Sequence, residues 1–247
     1  MSEARDSVPL VSWHHGRLAA FDIESTGISP EDDRIVTATV SVVGGGLPTV
    51  STSWLADPGI EIPEGAARVH GISTERARAE GRPAQDVVRE IIETLAEQTA
   101  AGVPIIAYNA RYDLTMLDRE ARRHGLVPLV DRPGELLVVD PFVIDKQVDT
   151  YRKGPRKLTD ICRIYNVELS ENDAHAADAD AIAAARVAWR MGERFEELRV
   201  GIRELHASQI IWAADQAASL EEYFRSQGKD ETCEREWPIV TPKPIAA

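Results

Sequence analysis

Apolar and polar positions follow two distinct rhythms along the chain. From Arg17 to Ile23 an apolar run reads as a buried strand. From Arg34 to Val43, Val36, Ala38, Val40 and Val42 alternate with Thr37, Thr39 and Ser41, the period-two signature of a second strand. Gly44-Gly45-Gly46 then turns the chain into a third, about Thr49–Leu55, and the three are expected to form an antiparallel meander. After Asp57-Pro58-Gly59 the rhythm becomes helical. Pro83 can open a helix whose apolar positions Val87, Val88, Ile91, Ile92 and Leu95 keep the 3.6-residue period. Short apolar segments at Pro104–Tyr108 and Leu136–Asp140 read as strands. The first leads into a helix over Ala110–His124, the second into helices over Pro141–Val148, Leu158–Tyr165 and Ala176–Glu193. A meander followed by alternating strands and helices implies an α/β fold, a mixed antiparallel and parallel sheet flanked by helices.

A last helical stretch, Phe195–Phe224, brings Phe195, Leu198, Ile202, Leu205, Trp212, Leu220 and Phe224 near one stripe. Such a stripe would dock on the body of the protein or on a second copy of it; a partner-binding arm is the sharper alternative. Residues 1–16 and Ser226–Ala247 are polar and aperiodic and are expected to lack regular structure. Adjacent His14 and His15 read as solvent-facing. The expected organisation is an N-terminal tail (1–16), a main domain (17–193) and a C-terminal helical extension with a polar tail (194–247).

The 247 residues suffice for one large domain or one domain with an appendage. With 28 Lys and Arg against 41 Asp and Glu the net charge is −13, which disfavours binding nucleic acid by global attraction. An enzyme that meets phosphates through bound cations is not excluded. Only Cys162 and Cys233 occur, in no metal-ligand spacing, so neither a disulfide scaffold nor a zinc finger is expected, and a reducing cytoplasm is. No export signal or membrane-spanning apolar run is visible.

Candidate chemistry lies in the acids. Asp22 and Glu24 stand two positions apart at the end of the first strand, so both leave the same face, and two acids so close repel unless a cation shares them. A surface acid pair is the plainer alternative. Asp113 lies four residues after Asn109, which fits a helix N-cap; that spacing points Asp113 back toward the strand edge where Asp22 and Glu24 end. In a third segment, His175 precedes Asp178 and Asp180 on an alanine-rich helix. Small residues let such a helix lie close to a sheet, and His175, at or before the first turn, is free to act as a base.

In order, Phe21-Asp22-Ile23-Glu24-Ser25-Thr26-Gly27, Asn109-Ala110-Arg111-Tyr112-Asp113, and His175 with Asp180 five places later resemble the three motifs of the histidine-type DEDD (DnaQ-like) 3′ to 5′ exonucleases. That superfamily includes the proofreading subunit of the bacterial replicative polymerase. The resemblance covers about residues 17–193. In the tyrosine-type branch a Tyr lies four places before the last Asp; here Ala176 stands there, so the histidine branch is indicated. The same spacing selects Asp180 as ligand and leaves Asp178 a surface charge. Arg68-Val69-His70-Gly71-Ile72-Ser73 looks like the loop that lines the terminal-nucleotide pocket of the proofreading type. Ser25 in place of a commoner Thr and Tyr112 in place of a commoner Phe are mild departures, at positions that are not ligands.

The resemblance implies a ribonuclease H-like fold and a site in which Asp22, Glu24 and Asp180 hold one Mg²⁺ or Mn²⁺. Asp22 would bridge to a second ion anchored by Asp113 through water. Two such ions about 3.5–4 Å apart clamp the attacking and departing oxygens of an in-line displacement. His175 would take the proton of the attacking water, and nucleoside 5′-monophosphates would be released. Thr26, His70 and Asn109 are candidates for contacts to the terminal nucleotide. Lys146, Arg152, Lys153, Arg156, Lys157 and Arg163, against Asp149 and Asp160, form a local basic patch that could hold upstream phosphates. The expected partner is a single-stranded 3′ end, DNA before RNA, with a DNA polymerase or repair complex as a possible protein partner and no membrane. The expected place of action is a bacterial cytoplasm. The alternatives are an exoribonuclease or oligoribonuclease with the same chemistry, and a non-catalytic adaptor that uses Phe195–Phe224 to recruit a polymerase.

Overall fold

The computed structural model describes residues 12–169 and 177–242. Six strands form one sheet: β1 (Arg17–Ser25), β2 (Ile35–Gly44), β3 (Val50–Asp57), β4 (Arg82–Pro83), β5 (Ile105–Ile106) and β6 (Val138–Val139). Their spatial order is β4-β3-β2-β1-β5-β6. The expected meander is present, with β1 antiparallel to β2 and β2 to β3, while β4 on β3, β5 on β1 and β6 on β5 are parallel pairs. The fold is α/β, a mixed sheet flanked by helices.

Each face of the sheet has its own helical cover. Phe21 and Ile23 of β1 join Val87, Val88, Ile91, Ile92 and Leu95 of α3 (Ala84–Ala100) and Leu114 and Leu117 of α4 (Ala110–Arg123) in the larger core. On the opposite face Leu18 packs among residues of α6 (Leu158–Tyr165) and α7 (Ala177–Arg194). Ala20 meets Ala181 and Ala185 of α7, so small-on-small contact lets that helix lie close to the strands, as its alanines predict. Two of the three polar positions that alternate along β2 do not face solvent. Thr39 and Ser41 are buried and hydrogen-bond Ser53 and Ser51 of β3 at 2.8 Å each, a cross-strand hydroxyl ladder.

Several expectations change. Arg68–Ser73, read as a loop, is the junction of two helices, α1 (Glu64–His70) and α2 (Thr74–Glu80), with Gly71 left-handed between them; His70 therefore ends a helix. Residues 12–16 are not a tail: Trp13 is buried and its indole N–H donates to Leu198 O at 2.8 Å. Nor does His14 face solvent. It is buried, with Nε2 3.0 Å from Glu193 Oε1, and His15 reaches the same oxygen at 3.5 Å.

The C-terminal stretch divides into a short 3-10 turn (Glu196–Leu198) and α8 (Ile202–Ser226). The expected stripe is only partly buried: Leu198 and Leu205 are, whereas Leu220 is 42% exposed. The buried face of α8 runs through Leu205, Gln209, Ala213 and Ala217 instead. Gln209 explains the difference. Its side chain takes the Asp140 N–H at 2.7 Å and donates to Val138 O at 3.0 Å, while His206 Nδ1 accepts the Val138 N–H at 3.1 Å. Thus α8 docks on the body by supplying the open edge of β6 with the partners a seventh strand would have given. Beyond α8 the described residues have no helix or strand, as expected, yet they are packed. Trp237 is buried, and Val240 accepts from Arg119 at 3.0 Å and donates to Thr115 Oγ1 at 3.1 Å. Among the described residues no helix is long and apolar enough to cross a membrane.

Candidate active site

The acids are gathered by strand length and by the face each side chain leaves. β1 runs to Ser25, but β5 ends at Ile106, paired opposite Ala20, so the last residues of β1 extend past their neighbour. A crevice opens there, at the carboxyl ends of two parallel strands whose connections diverge. Even-numbered residues of β1 face α7. Leu18 and Ala20 therefore pack on that helix, and Asp22 and Glu24 project toward its first turn, which carries Asp180. Carboxylate oxygens of Asp22, Glu24 and Asp180 lie within 4.8 Å of one another. Asp178, on the same turn, is exposed, as expected.

Asp113 arrives from the other layer. The Ile23 N–H lies beyond the end of β5, and Asp113 Oδ1 accepts it at 3.2 Å. The helix that carries Asp113 is not capped as its sequence suggests. Asn109 occupies the N-cap position in a left-handed conformation (φ 66°, ψ 46°) and its side chain makes no cap. Asp140 does that work, accepting from Asn109 N and Ala110 N at 2.9 Å each, and it also caps α5 (Pro141–Val148) through Phe142 N at 2.9 Å. Freed from capping, Asn109 lines the acid cleft. Asp140 was missed as a site-building residue, although Asp-Pro at a strand end, with proline at the first helical position, is a legible capping signal.

The electrostatics are those of crowded acids with too little water. Burial raises the Asp22 pKa well above the ordinary carboxylate value, and the charges of Asp113, Asp180 and Glu24 raise it further. Asp113 is also raised, chiefly by burial, against the lowering effect of the Ile23 N–H. Glu24 is pushed up to about 8 by burial and by Asp180. Such a set favours either protons or cations. An all-carboxylate donor set suits hard, oxygen-seeking divalent ions.

The acid cleft, of ≈ 430 Å³, is walled by Tyr108, Phe142 and Arg156. A second cleft of ≈ 660 Å³ adjoins it, sharing Glu24 and Tyr112, and contains Thr26 and His70. The three nucleotide-contact candidates thus lie around joined clefts, but in different states. His70 Nδ1 accepts the Ile72 N–H at 3.2 Å, and burial lowers its pKa, so the neutral ring carries its proton on Nε2 beside the Ser25 backbone. Thr26 is buried, and its hydroxyl donates to Asp33 Oδ1 at 2.8 Å and accepts from Arg34 N at 3.1 Å. Its side chain therefore holds the turn after β1. Ser25 and Tyr112, the two departures from the family pattern, touch each other: Tyr112 Oη lies 2.5 Å from Ser25 Oγ and donates to Gly27 O at 2.5 Å. Tyr112 therefore forms the wall common to both clefts.

The basic patch is less free than its composition suggests. Arg152 and Arg156 both pair with buried Asp145, and Arg163 pairs with Asp160 at 3.1 Å. Asp145, the residue before Lys146, neutralises part of it. His175 lies outside the described residues.

The family model RNase_T, described as "Exonuclease", matches residues 19–188, a span that contains every acid above. The chain belongs to this exonuclease family. Relatives of the exonuclease include DNA polymerase III PolC-type from Lacticaseibacillus paracasei, 25% identical over 171 residues and 69% of this chain, and that from Lactococcus lactis, 23% identical over 235 residues and 92% of this chain. The chain spans only 11% and 13% of those polymerases. Escherichia coli exonuclease I in complex with a dT13 oligonucleotide superposes with a TM-score of 0.62 at 19% identity, over 74% of this chain and 42% of that one. Exonuclease I from Methylocaldum szegediense gives 0.58 at 16% identity, over 84% and 45%. The fold is therefore the ribonuclease H-like fold of the DnaQ-like exonucleases.

Proposed function

We propose that the protein is a metal-dependent 3′ to 5′ exonuclease that removes nucleoside 5′-monophosphates from single-stranded or frayed DNA ends. The convergence of Asp22, Glu24 and Asp180, backed by Asp113, carries this reading. Asp22, Glu24 and Asp180 would hold one Mg²⁺ or Mn²⁺, and Asp22 with Asp113 a second. Bound there, the ions would supply charge neutralisation, polarisation of the scissile phosphate and acidification of water. The Ile23–Asp113 bond keeps the acids in place before substrate arrives. The adjoining cleft, between His70 and Tyr112, is where the terminal nucleoside would lie, with the His70 ring on its wall. His175 is the proposed acceptor of the water proton, on the family motif alone.

DNA is preferred over RNA because the relatives are DNA polymerases and exonuclease I in a dT13 complex. RNA as substrate is the runner-up, and a polymerase or repair complex is a further proposed partner. The test is release of mononucleotides from equimolar 3′-labelled DNA and RNA by wild type, Asp22→Ala and His175→Ala. Wild type should act on DNA with Mg²⁺ or Mn²⁺ and fall silent in EDTA, and both variants should be inactive but folded. A strong RNA preference would reverse the substrate assignment, and an active Asp22→Ala would remove the mechanism.

A further inference from the structure

Next to the acid cleft lies a smaller cavity of ≈ 90 Å³ that shares Asn109 and Phe142 with it; its charged lining is Arg111 and Lys146 with Asp140 and Glu234. Two elements outside the family span build one side of it: α8 and the packed segment that follows.

The charges in this cavity are unusual for this molecule. Its other well-buried arginines are paired, Arg119 with Asp118 at 2.7 Å and Glu31 at 2.6 Å, and Arg152 and Arg156 with Asp145. Among the described residues, Arg111 and Lys146 have no carboxylate within 4.0 Å, and Arg111 Nε is buried without a hydrogen-bond partner. The Lys146 ammonium rests 4.2 Å above the Phe142 ring. The acids nearby are already engaged. Asp140 accepts three backbone N–H groups and the Trp237 indole, and Glu234 Oε1 accepts the amides of Arg235 and Glu236. Burial and the charge of Arg156 hold the Lys146 pKa below its ordinary value, with Asp140 opposing them. Two half-buried cations thus stand beside an Asp140 carboxylate whose oxygens are already taken by other donors.

An anion would give Arg111 Nε and the Lys146 ammonium a partner, and the position of the cavity indicates its class. Arg156 stands on the wall of the acid cleft, Phe142 belongs to both spaces, and Lys146 and Arg111 follow. We infer that Arg111 and Lys146 form a subsite for a phosphodiester of the strand on the 5′ side of the cleaved linkage. The C-terminal extension closes this subsite, so the strand would leave the acid cleft over Phe142 toward α8. The inference rests on the nuclease reading above for the direction of the strand.

The test is equilibrium binding of 5′-fluorescein-labelled oligothymidylates, from the dinucleotide upward, with Ca²⁺ replacing Mg²⁺ to slow cleavage. Wild-type affinity should step up once the strand is long enough to reach the cavity. Arg111→Gln should abolish that step, weakening longer strands roughly tenfold, with the log–log salt slope shallower by about one. Arg111→Lys, which keeps the charge, should retain most of the step and guards against a folding artefact, as do thermal melts of each variant. Wild-type affinity and salt slope in both Arg111→Gln and Lys146→Gln would overturn the subsite. Loss confined to binding of inorganic phosphate or thymidine 5′-monophosphate would overturn the strand assignment. Mononucleotide release by the wild type with Mg²⁺ is scored separately: its failure with the length step intact removes the nuclease reading, whereas activity without the step removes only the subsite.

Discussion

Asp113 Oδ1 accepts the Ile23 amide at 3.2 Å, tying the second acidic segment to the backbone between Asp22 and Glu24. The bond exists because β1 outruns β5 and leaves an N–H without a strand partner. One side chain therefore finishes the sheet edge and sets a carboxylate beside the other acids.

Replacing Asp113 should separate these two roles. Asp113→Ala leaves a buried N–H unsatisfied and should cost roughly 1–3 kcal/mol in urea unfolding as well as activity. Asp113→Asn retains an acceptor oxygen for Ile23, so it should unfold close to wild type while nuclease activity falls to background. An inactive but stable Asp113→Ala would show that the Ile23 contact contributes nothing.

Glu24 gives a pH dependence with a definite sign. Its pKa rises from 4.5 to about 8 in the folded protein. Between those values the unfolded chain releases a proton that the folded chain keeps, so metal-free protein should lose stability as pH rises across this window and level off above it. Glu24→Gln should flatten that decline, and its melting temperature without metal should exceed wild type by more at pH 9 than at pH 5. Parallel pH profiles for the two proteins would contradict the electrostatic account.

Divalent ions should reverse the same penalty. Because a ligand that binds only the native state stabilises it by about 2.7 kcal/mol at one hundred times its Kd, Mg²⁺ or Mn²⁺ should raise the melting temperature of wild type at neutral pH. EDTA should restore the lower value. Asp22→Ala, which removes the shared ligand, should show little or no metal-dependent shift by scanning calorimetry.

Gln209 makes α8 part of the fold. Gln209→Leu leaves the Asp140 N–H and Val138 C=O buried without partners, at roughly 1–3 kcal/mol each, and disturbs the residue that caps α4 and α5. A large loss of stability is expected by urea unfolding. Deletion of residues 195–247 should yield little soluble protein; a stable, soluble deletion product would instead mark the extension as a separable arm.

The sequence by itself determined most of the elements, though not α1, α2 or β4, and singled out the acids that the fold brings together. Apolar periodicity fixes the meander, α3 and the alanine face of α7, and two-residue spacing fixes Asp22 and Glu24 to one side of β1, because backbone geometry alone dictates those faces. Tertiary structure decided what depends on distant partners: that Asp140 rather than the Asn109 side chain caps α4, that Thr26 is spent on Asp33, and that Arg156 answers Asp145. It also decided that polar Gln209, which interrupts an apolar stripe, lies at the centre of a buried face. Polar groups are buried where another segment completes their hydrogen bonds, and no local pattern of hydrophobicity records which segment that is.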